Sequence, residues 1–284
     1  MADARPEALA RQARSAVPVQ AAPRAWWIAA PLLLLGAVTV LLPFAWRSAD
    51  ALWACGAESG CGELMTPYYT EALLNTVVIA GLSTLLALPL ALAACAFVAR
   101  SPGLGAPVSL LGSLGANFAG VPLALAFTLL FGVQGVVTQL LGFQPLRLER
   151  FSGLLSAYLC FQLPLATVLL LPPVQLLDSH LEEAAATLGA GRTRYWRKVA
   201  LPLLAPSLIE VGVLLFANAA AAYATPFALA GASANMLAVR LTALVSGDLF
   251  ADPRLPALLA LELFALLSAV MWLGRRIARR SATS

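Results

Sequence analysis

Charged residues are scarce in this sequence. Of its 284 residues, 11% are charged and 61% are hydrophobic, and the mean hydropathy is +0.85. Soluble globular domains carry about 25% charged residues. The composition therefore excludes an ordinary soluble domain and indicates an integral membrane protein. The net charge of +4 is small and does not indicate nucleic-acid binding.

The residues that catalytic and metal sites need are also scarce. A phosphate-binding loop requires Gly-x-x-x-x-Gly-Lys-Ser/Thr, but the single lysine, Lys198, is followed by Val199. The single histidine, His180, has no second histidine or nearby cysteine with which to bind a metal. There is no plausible nucleophile–base pair. We therefore expect no enzyme, no metal site and no cofactor in this chain. If ATP drives it, a partner chain must hydrolyse the ATP.

The four cysteines do not indicate a redox site. Cys95 and Cys160 fall within apolar runs, where cysteine usually acts as a small apolar residue. Cys55 and Cys61 fall in a Gly-containing segment that is predicted to be external. An oxidising compartment would allow these two to form a disulfide, and two free thiols are an equal alternative.

Long apolar runs account for most of the chain. A helix of about 17 to 25 apolar residues crosses the hydrocarbon core, and helices satisfy every backbone polar group there. We predict six such helices, and residues 1–24 are predicted to form a cytoplasmic tail ahead of one transmembrane domain, 25–284. The predicted spans are about 26–46, 73–99, 108–132, 153–174, 203–230 and 257–274.

The basic residues are unevenly distributed between the two sides. Lys and Arg are enriched in the cytoplasmic segments of membrane proteins. Both termini and the segment 178–206 are therefore predicted to be cytoplasmic. The residues on this side are Arg5, Arg11, Arg14, Arg24, Arg100, Arg192, Arg194, Arg197, Lys198, Arg275, Arg276, Arg279 and Arg280, against Arg47, Arg147, Arg150, Arg240 and Arg254 on the other.

The segment 178–206 is polar and stands between two long apolar runs. Ser179 followed by Glu182 fits a capping box at the start of a helix. Gly189 and Gly191 are typical of a helix C-terminus that ends in a left-handed residue. One apolar face is predicted from the helical spacing of Leu181, Ala184, Ala185 and Leu188.

A second short helix is predicted from about Thr193 to Val199. Tyr195, Trp196 and Val199 would be its apolar contacts, and Pro202 would end it or open the next segment. The whole segment, which we call the elbow, is thus predicted to be a helix–turn–helix with a basic second half.

The spacing within the elbow resembles the EAA loop of ABC importer permeases. Glu183-Ala184-Ala185 is followed after three residues by Gly189, and after nine more by Val199-Ala200-Leu201-Pro202. The only departure is Val in place of Ile. The predicted topology fits the same family: it has six helices, both chain termini on one side, and the elbow between the fourth and fifth helices. The resemblance implies an all-α fold of the type I importer (MetI-like) permease, with its core at about 72–274.

In that family the elbow inserts into a groove on a separate ATPase subunit. The resemblance implies two permease subunits, identical or different, two ATPase subunits and an external solute-binding protein, in a bacterial inner membrane. ATP binding would then switch the solute pathway between inward- and outward-facing states. The residues assigned to ATPase docking are Glu183, Ala184, Ala185, Gly189, Leu201 and Pro202.

Glu210 and Glu262 fall within predicted spans. A charged side chain at the bilayer centre is unfavourable by about 2.5 to 3.5 kcal/mol on insertion scales, so such groups normally face a bundle interior or an aqueous path. Asn117 lies in the Gly- and Pro-containing middle of the third span, and discontinuous helices are common solute sites. All three are candidate pathway residues. Helix packing is the alternative for each.

The solute is weakly determined by the sequence. The resemblance extends to the branch that imports polyamines, ferric iron, phosphonates and thiamine, and the two carboxylates favour a cation such as a polyamine. An ion-coupled secondary carrier that uses the two carboxylates as a relay is an alternative, as is a membrane scaffold without transport. Co-purification of an ATPase subunit would separate the first interpretation from the other two.

Overall fold

The computed structural model describes residues 34–35, 37–57, 66–101, 103–142, 147–177, 179–247 and 254–281. These residues contain helices and no strands. Residues 1–49 and 50–284 separate into two compact units. A π-helical turn at Ala37–Leu41 leads into helix α1, Leu42–Ala57, whose residues from Asp50 onward belong to the second unit.

Eleven further helices follow in the described part of the second unit. They are α2 (Pro67–Val98), α3 (Gly105–Asn117), α4 (Val121–Phe131), α5 (Val136–Leu141), α6 (Phe151–Gln175), α7 (Ser179–Thr187), α8 (Arg192–Tyr195), α9 (Leu201–Ala220), α10 (Ala224–Ala230), α11 (Leu237–Gly247) and α12 (Arg254–Ser281).

Among the described residues, five helical segments are long and apolar enough to cross a membrane. Their most apolar windows have mean hydropathies of 1.9 to 2.3. The prediction of an all-helical membrane fold is therefore confirmed. Much of the predicted first span, 26–46, lies outside the described residues. The five segments are Pro67–Val98, Val121–Leu140, Phe151–Gln175, Arg192–Ala220 and Arg254–Arg279.

Helices α2 and α6 pack along each other at the centre of the bundle. Helix α6 also contacts α3 and α9, and α9 contacts α2 and α12. Small side chains allow this close packing, which replaces the hydrophobic effect as the source of helix association in lipid. On α2 the fully buried positions are Ala72, Thr76, Ala80, Ser83, Ala87, Ala91 and Cys95.

The cysteine predictions have different outcomes. Cys95 is buried, and its Sγ donates to the Thr167 carbonyl at 3.4 Å, so its role as a small core residue is confirmed. Cys160 also lies in an apolar segment long enough to cross a membrane, but it is exposed on α6 and is not part of the core. The side chain of Cys55 and all of Cys61 lie outside the described residues, so their pairing stays a prediction.

Two predicted spans, 108–132 and 203–230, are interrupted; the Gly- and Pro-containing middle of the first already indicated a break, and the break in the second was not expected. The first breaks between α3 and α4, where Gly120 has φ +80°, a conformation that L side chains rarely adopt. The second breaks between α9 and α10 at residues 221–223. Pro226 follows this break, and it has no N–H to donate back to Ala222 as a continuing helix would require.

Two other boundaries differ from the predictions, and the alternative that Pro202 opens the next segment is confirmed. The external loop expected at 47–70 is helical at both ends, because α1 continues to Ala57 and α2 begins at Pro67. Pro202 stands in the first turn of α9, which follows α8 and a π-helical turn at Trp196–Ala200 without a gap. Such a turn changes the backbone bonding just before Pro202, where an N–H is missing. Helix α12 continues past its predicted end at 274 through four arginines, which are good helix formers.

Candidate functional site: the elbow and a cleft between two broken helices

The first helix of the elbow, α7, ends in a glycine turn. Gly189 has φ +74°. The Ala190 N–H donates to the Ala185 carbonyl and the Gly189 N–H to the Ala186 carbonyl, both at 2.9 Å. This pair of bonds defines a Schellman motif. The prediction of a left-handed glycine is confirmed at Gly189 and wrong at Gly191, which has φ −66° and ψ 162° and precedes α8.

A small apolar cluster holds the two halves of the elbow together. Ala185 packs with Tyr195 and Ala200, and Trp196 and Val199 lie partly buried against them. Tyr195 is only 4% exposed. The predicted apolar contacts of the second helix are therefore confirmed. The cluster fixes the angle between α7 and the segment that continues into α9.

An ion pair attaches the elbow to the central helix α2. Arg100 lies in the turn after α2, and its Nη2 is 2.6 Å from Glu182 Oε1. Both side chains are partly exposed, so the pair contributes little to stability. It does hold α7 against the end of α2. The capping box proposed for Glu182 stays a prediction, since the Ser179 side chain lies outside the described residues.

The outer face of the elbow is apolar and basic, and it is exposed among the residues that the structure describes. Leu181 and Leu188 are 38% and 87% exposed, and Ala184 is exposed. Only Ala185 of the predicted apolar face packs inward. Glu183 is exposed, with its Oε2 3.6 Å from His180 Nδ1. The basic side chains Arg192, Arg194, Arg197 and Lys198 are exposed as well, and so are Leu201 and Pro202.

We call this face the elbow surface: Leu181, Glu183, Ala184, Leu188 and the basic residues of 192–198. An exposed apolar patch beside polar residues is typical of a protein interaction site. Of the six residues assigned to docking by resemblance, all but Ala185 are exposed. The structure thus places five of them where a partner could reach them.

The two helix breaks meet inside the bundle. The Gly120 N–H, at the α3–α4 break, donates to Thr225 Oγ1 at 2.9 Å. Thr225 belongs to α10, just after the second break, and is 2% exposed. A cavity of about 250 Å³ opens here, which we call the cleft. It is lined by Ala119, Gly120, Phe161, Asn218, Ala221, Ala222, Tyr223, Ala224 and Thr225.

A second, larger concavity of about 520 Å³ runs along α3 towards the cleft. Its polar residues recur once per turn as Ser109, Ser113 and Asn117. Ser113 Oγ donates to the Ser109 carbonyl at 2.8 Å, and Asn117 Nδ2 donates to the Ser113 carbonyl at 2.8 Å. Asn117 is exposed and lies three residues before Gly120, but it lines the concavity along α3 and not the cleft.

Glu210 is exposed on α9, on the face that also carries Leu214 and Asn218. Asn218 lines the cleft, and Glu210 lies about 12 Å from it along the helix, towards the elbow. Its neighbour Val213 contacts Gly274, which directly precedes Arg275. Glu210 therefore lies close to the depth of the arginines that end α12.

Glu262 is half-buried on α12 and lines neither the cleft nor the concavity along α3. The two carboxylates are not brought together. Among the described residues, no group of three or more His, Cys, Asp or Glu side chains could hold a metal ion.

Sequence reasoning missed the contact that joins the two breaks and the role of Gln162. Gln162 is fully buried beside the cleft-lining Phe161. Its Nε2 donates to the Leu215 carbonyl at 3.3 Å, and its Oε1 has no partner among the described residues. A polar residue in the middle of an apolar span was the available signal, because such residues normally face the bundle interior.

Asn75 and Thr76 connect α2 to the loop before α11. Thr76 Oγ1 accepts the Leu237 N–H at 2.9 Å, and Asn75 Nδ2 donates to the Asn235 carbonyl at 3.1 Å. Arg240 joins the same hydrogen-bond network, because its Nε donates to Asn235 Oδ1 at 2.9 Å. These contacts lie at the end of the bundle opposite the elbow and fix the segment that follows the cleft.

Comparison with known sequences gives a limited but consistent result. No family model matches the chain. It is 36% identical over 72 residues to a "Putative ABC transporter permease protein ORF1" of Streptomyces antibioticus, which is 25% of this chain and 31% of that protein. It is 26% identical over 222 residues to the "Ferric transport system permease protein FbpB" of Actinobacillus pleuropneumoniae, covering 74% of this chain and 32% of that one.

A third relative is the "Putative ferric transport system permease protein FbpB 1" of Haemophilus influenzae. It is 25% identical over 226 residues, or 75% of this chain and 35% of that protein. The chain thus spans about a third of the length of the curated relatives it matches.

Two solved structures share the fold over nearly the whole chain. A chain of a bacterial alginate ABC transporter, crystallised in complex with an alginate pentasaccharide-bound periplasmic protein, has a TM-score of 0.73 at 15% identity, covering 90% of this chain and 94% of that one. A chain of a bacterial ABC transporter involved in alginate import has a TM-score of 0.68 at 14% identity, covering 90% and 96%. The chain is thus similar in sequence to permease proteins of ABC and ferric transport systems, and it shares the fold of the solved alginate transporter chains.

Proposed function

We propose that the chain forms one half of the solute pathway of an ATP-driven importer and couples it to a separate ATPase through the elbow. The observation that carries this proposal is the elbow surface. A rigid turn and a buried cluster present uncovered leucines and four basic side chains at one end of a membrane bundle. A groove on a soluble subunit would bury the leucines, and the basic residues would orient it.

The mechanical link runs from the elbow into the membrane without a flexible joint. Helix α8, the π-helical turn and α9 are continuous, and α9 ends at the cleft. A displacement of the elbow would therefore move Asn218 and the second break directly. The ion pair of Arg100 with Glu182 would carry the same displacement to α2. ATP binding by the partner could in this way change access to the cleft.

The cleft is the proposed point of solute passage. At a helix break, backbone N–H and C=O groups lose their helical partners and become available to a solute. Asn218 and Tyr223 add neutral polar groups there, and Asn117 adds one in the neighbouring concavity along α3. Glu210 lies nearer the elbow, where it would face the inner vestibule, and Glu262 would serve helix packing.

Ferric iron is the preferred substrate class within this proposal. Two of the relatives are named as ferric transport permeases. The sequence-based preference for a polyamine depended on two carboxylates in the path, and neither lines the cleft. Phosphonate and thiamine are the other solutes that the resemblance allows. The elbow end would face the cytoplasm, a solute-binding protein would dock at the opposite end, and a second permease subunit would complete the path.

The docking proposal is tested by purifying the chain from its own bacterial membranes and measuring the ATPase subunit recovered with it. We expect Leu181→Glu combined with Leu188→Glu to abolish recovery, because two carboxylates would replace the apolar contact. Val133→Glu is the matched control, since Val133 is 79% exposed at the other end of the bundle. Full recovery of the ATPase with the double variant would overturn the docking role.

The substrate is tested separately, in vesicles that contain the assembled importer and its binding protein. Uptake of labelled ferric iron that requires ATP and is not reduced by excess polyamine would support iron. Uptake driven by an ion gradient in the absence of ATP would instead support the secondary-carrier alternative.

A further inference from the structure

Gln162 lies in the middle of α6, at the boundary between two apolar clusters of the bundle. The cluster nearer the cleft contains Tyr158 and Phe161 of this helix, and the cluster nearer the elbow contains Ala166 and Leu170. The side chain of Gln162 is fully buried. A buried amide normally has hydrogen-bond partners for both its N–H and its C=O groups.

The amide of Gln162 is only partly satisfied. Its Nε2 donates to the Leu215 carbonyl of α9 at 3.3 Å, which is longer than most N–H···O bonds. Its Oε1 has no donor among the described residues. A buried acceptor without a donor is destabilising, whereas an apolar side chain of the same shape can be nearly neutral. The stability of this arrangement therefore does not explain the glutamine.

A second unsatisfied group lies on α2, the other long helix that packs on α9. Thr84 Oγ1 is also buried without a partner among the described residues, and Thr84 lies beside Gly212 and Phe216 of α9. In the described part of the second unit, these are the only two buried side-chain atoms left unpaired. Both stand against the same stretch of α9, which indicates that the position of α9 determines whether they find partners.

Helix α9 also carries a side chain that can supply the missing donor. Its two neutral side-chain donors are Ser207 and Asn218. Asn218 lies three residues beyond Leu215 and lines the cleft together with Phe161, the neighbour of Gln162. Side chains on a helix tilt towards its N-terminus, so the amide of Asn218 tilts back towards the level of Leu215. A small displacement of α9 would suffice to bring this amide to Gln162.

We propose that Gln162 is a positioning residue for transport, which gives α9 two alternative positions against α6. In the position described here, Nε2 holds the Leu215 carbonyl. In the second position, Oε1 accepts a hydrogen bond from Asn218 Nδ2. The amide thus favours the movement of α9 that the elbow drives, and this inference rests on the proposed function. An apolar side chain at position 162 would retain α9 where it is.

The test measures thiol alkylation at position 221 of an Ala221→Cys variant, in nanodiscs that contain the assembled importer with its ATPase and binding protein. Ala221 is exposed and lines the cleft, so its alkylation rate reports access to the cleft. Peptide mass spectrometry separates this position from the native cysteines. We expect ATP to change the rate in the variant that carries only this substitution.

Gln162→Met keeps the length of the side chain and removes the amide. It should reduce the ATP-dependent change in alkylation about fivefold or more, since the unpaired oxygen no longer favours the second position. Asn218→Leu should reduce the change likewise, and the double variant should show no further loss, because both substitutions remove one contact. The unfolding temperature of Gln162→Met should equal or exceed that of the wild type, which a purely structural glutamine would not allow.

Tyr158→Phe is the matched control. It removes another buried polar group one turn earlier on α6, whose Oη donates to Met236 Sδ at 3.5 Å, and it should leave the ATP-dependent change intact. The inference is overturned if Gln162→Met keeps the full change or unfolds at a lower temperature, if the losses in the two single variants add, or if Tyr158→Phe reduces the change equally. If ATP does not alter the rate with Gln162 and Asn218 both present, the proposed function fails, and this inference fails with it.

Discussion

The conformation of Gly189 allows a sharp test of the elbow. Its φ of +74° is unfavourable for an L-residue by about 1 to 2 kcal/mol, and a β-branched side chain is less tolerated still. A Cβ at this position would have no neighbour within 4 Å, so Gly189→Val changes backbone preference and creates no clash. The variant should disfavour the Schellman turn by about 5- to 30-fold.

Gly191 is a matched control two residues away. A Cβ added there would also meet open space, but the φ of Gly191 is −66° and its ψ is 162°, values that any residue adopts. Gly191→Val should therefore leave the turn unchanged. Gly189→Asn should be intermediate, because asparagine tolerates the left-handed region better than valine does.

The assay is the affinity of the purified ATPase subunit for the permease in lipid nanodiscs. If the ATPase binds the elbow only when the Schellman turn at Gly189 is formed, the Kd of the ATPase for the Gly189→Val permease should be higher than for the wild type, by up to the same 5- to 30-fold. Membrane insertion and expression should not change. A wild-type Kd for Gly189→Val, or an equal loss in Gly191→Val, would refute the argument that the left-handed glycine shapes the docking surface.

Three further predictions concern the bundle. Thr225→Val should leave the Gly120 N–H at the α3–α4 break without its hydrogen-bond partner, at a cost of about 1 to 3 kcal/mol. Thr225→Val should therefore unfold in detergent at a lower temperature than Thr225→Ser, and equal unfolding temperatures would contradict a role for this bond. Gly112→Leu should destabilise the folded protein by about 1 to 3 kcal/mol through overpacking, because even its Cβ would lie 2.7 Å from Val168 Cγ2. An unchanged unfolding temperature would show that α3 moves freely against α6. Glu210→Gln should lower ATP-dependent uptake without lowering expression while Glu262→Gln does little, and normal uptake in the first would leave Glu210 with a packing role only.

The membrane class, the helical architecture and the elbow could be predicted from the sequence because each depends on local patterns. Apolar runs must become helices in lipid, since no other local structure pairs every backbone group. Gly189 was predictable because a left-handed residue is needed to end a helix in this way. The same reasoning wrongly predicted a left-handed conformation for Gly191, where the chain is extended, because composition alone does not distinguish two glycines so close together.

Tertiary structure alone decided where the interrupted spans meet. The sequence contains Gly120, Pro122 and Pro226, but none of them shows that two breaks about 100 residues apart lie side by side. The bond from the Gly120 N–H to Thr225 Oγ1 joins them, and it exists because α6 and α9 bring α4 and α10 into contact.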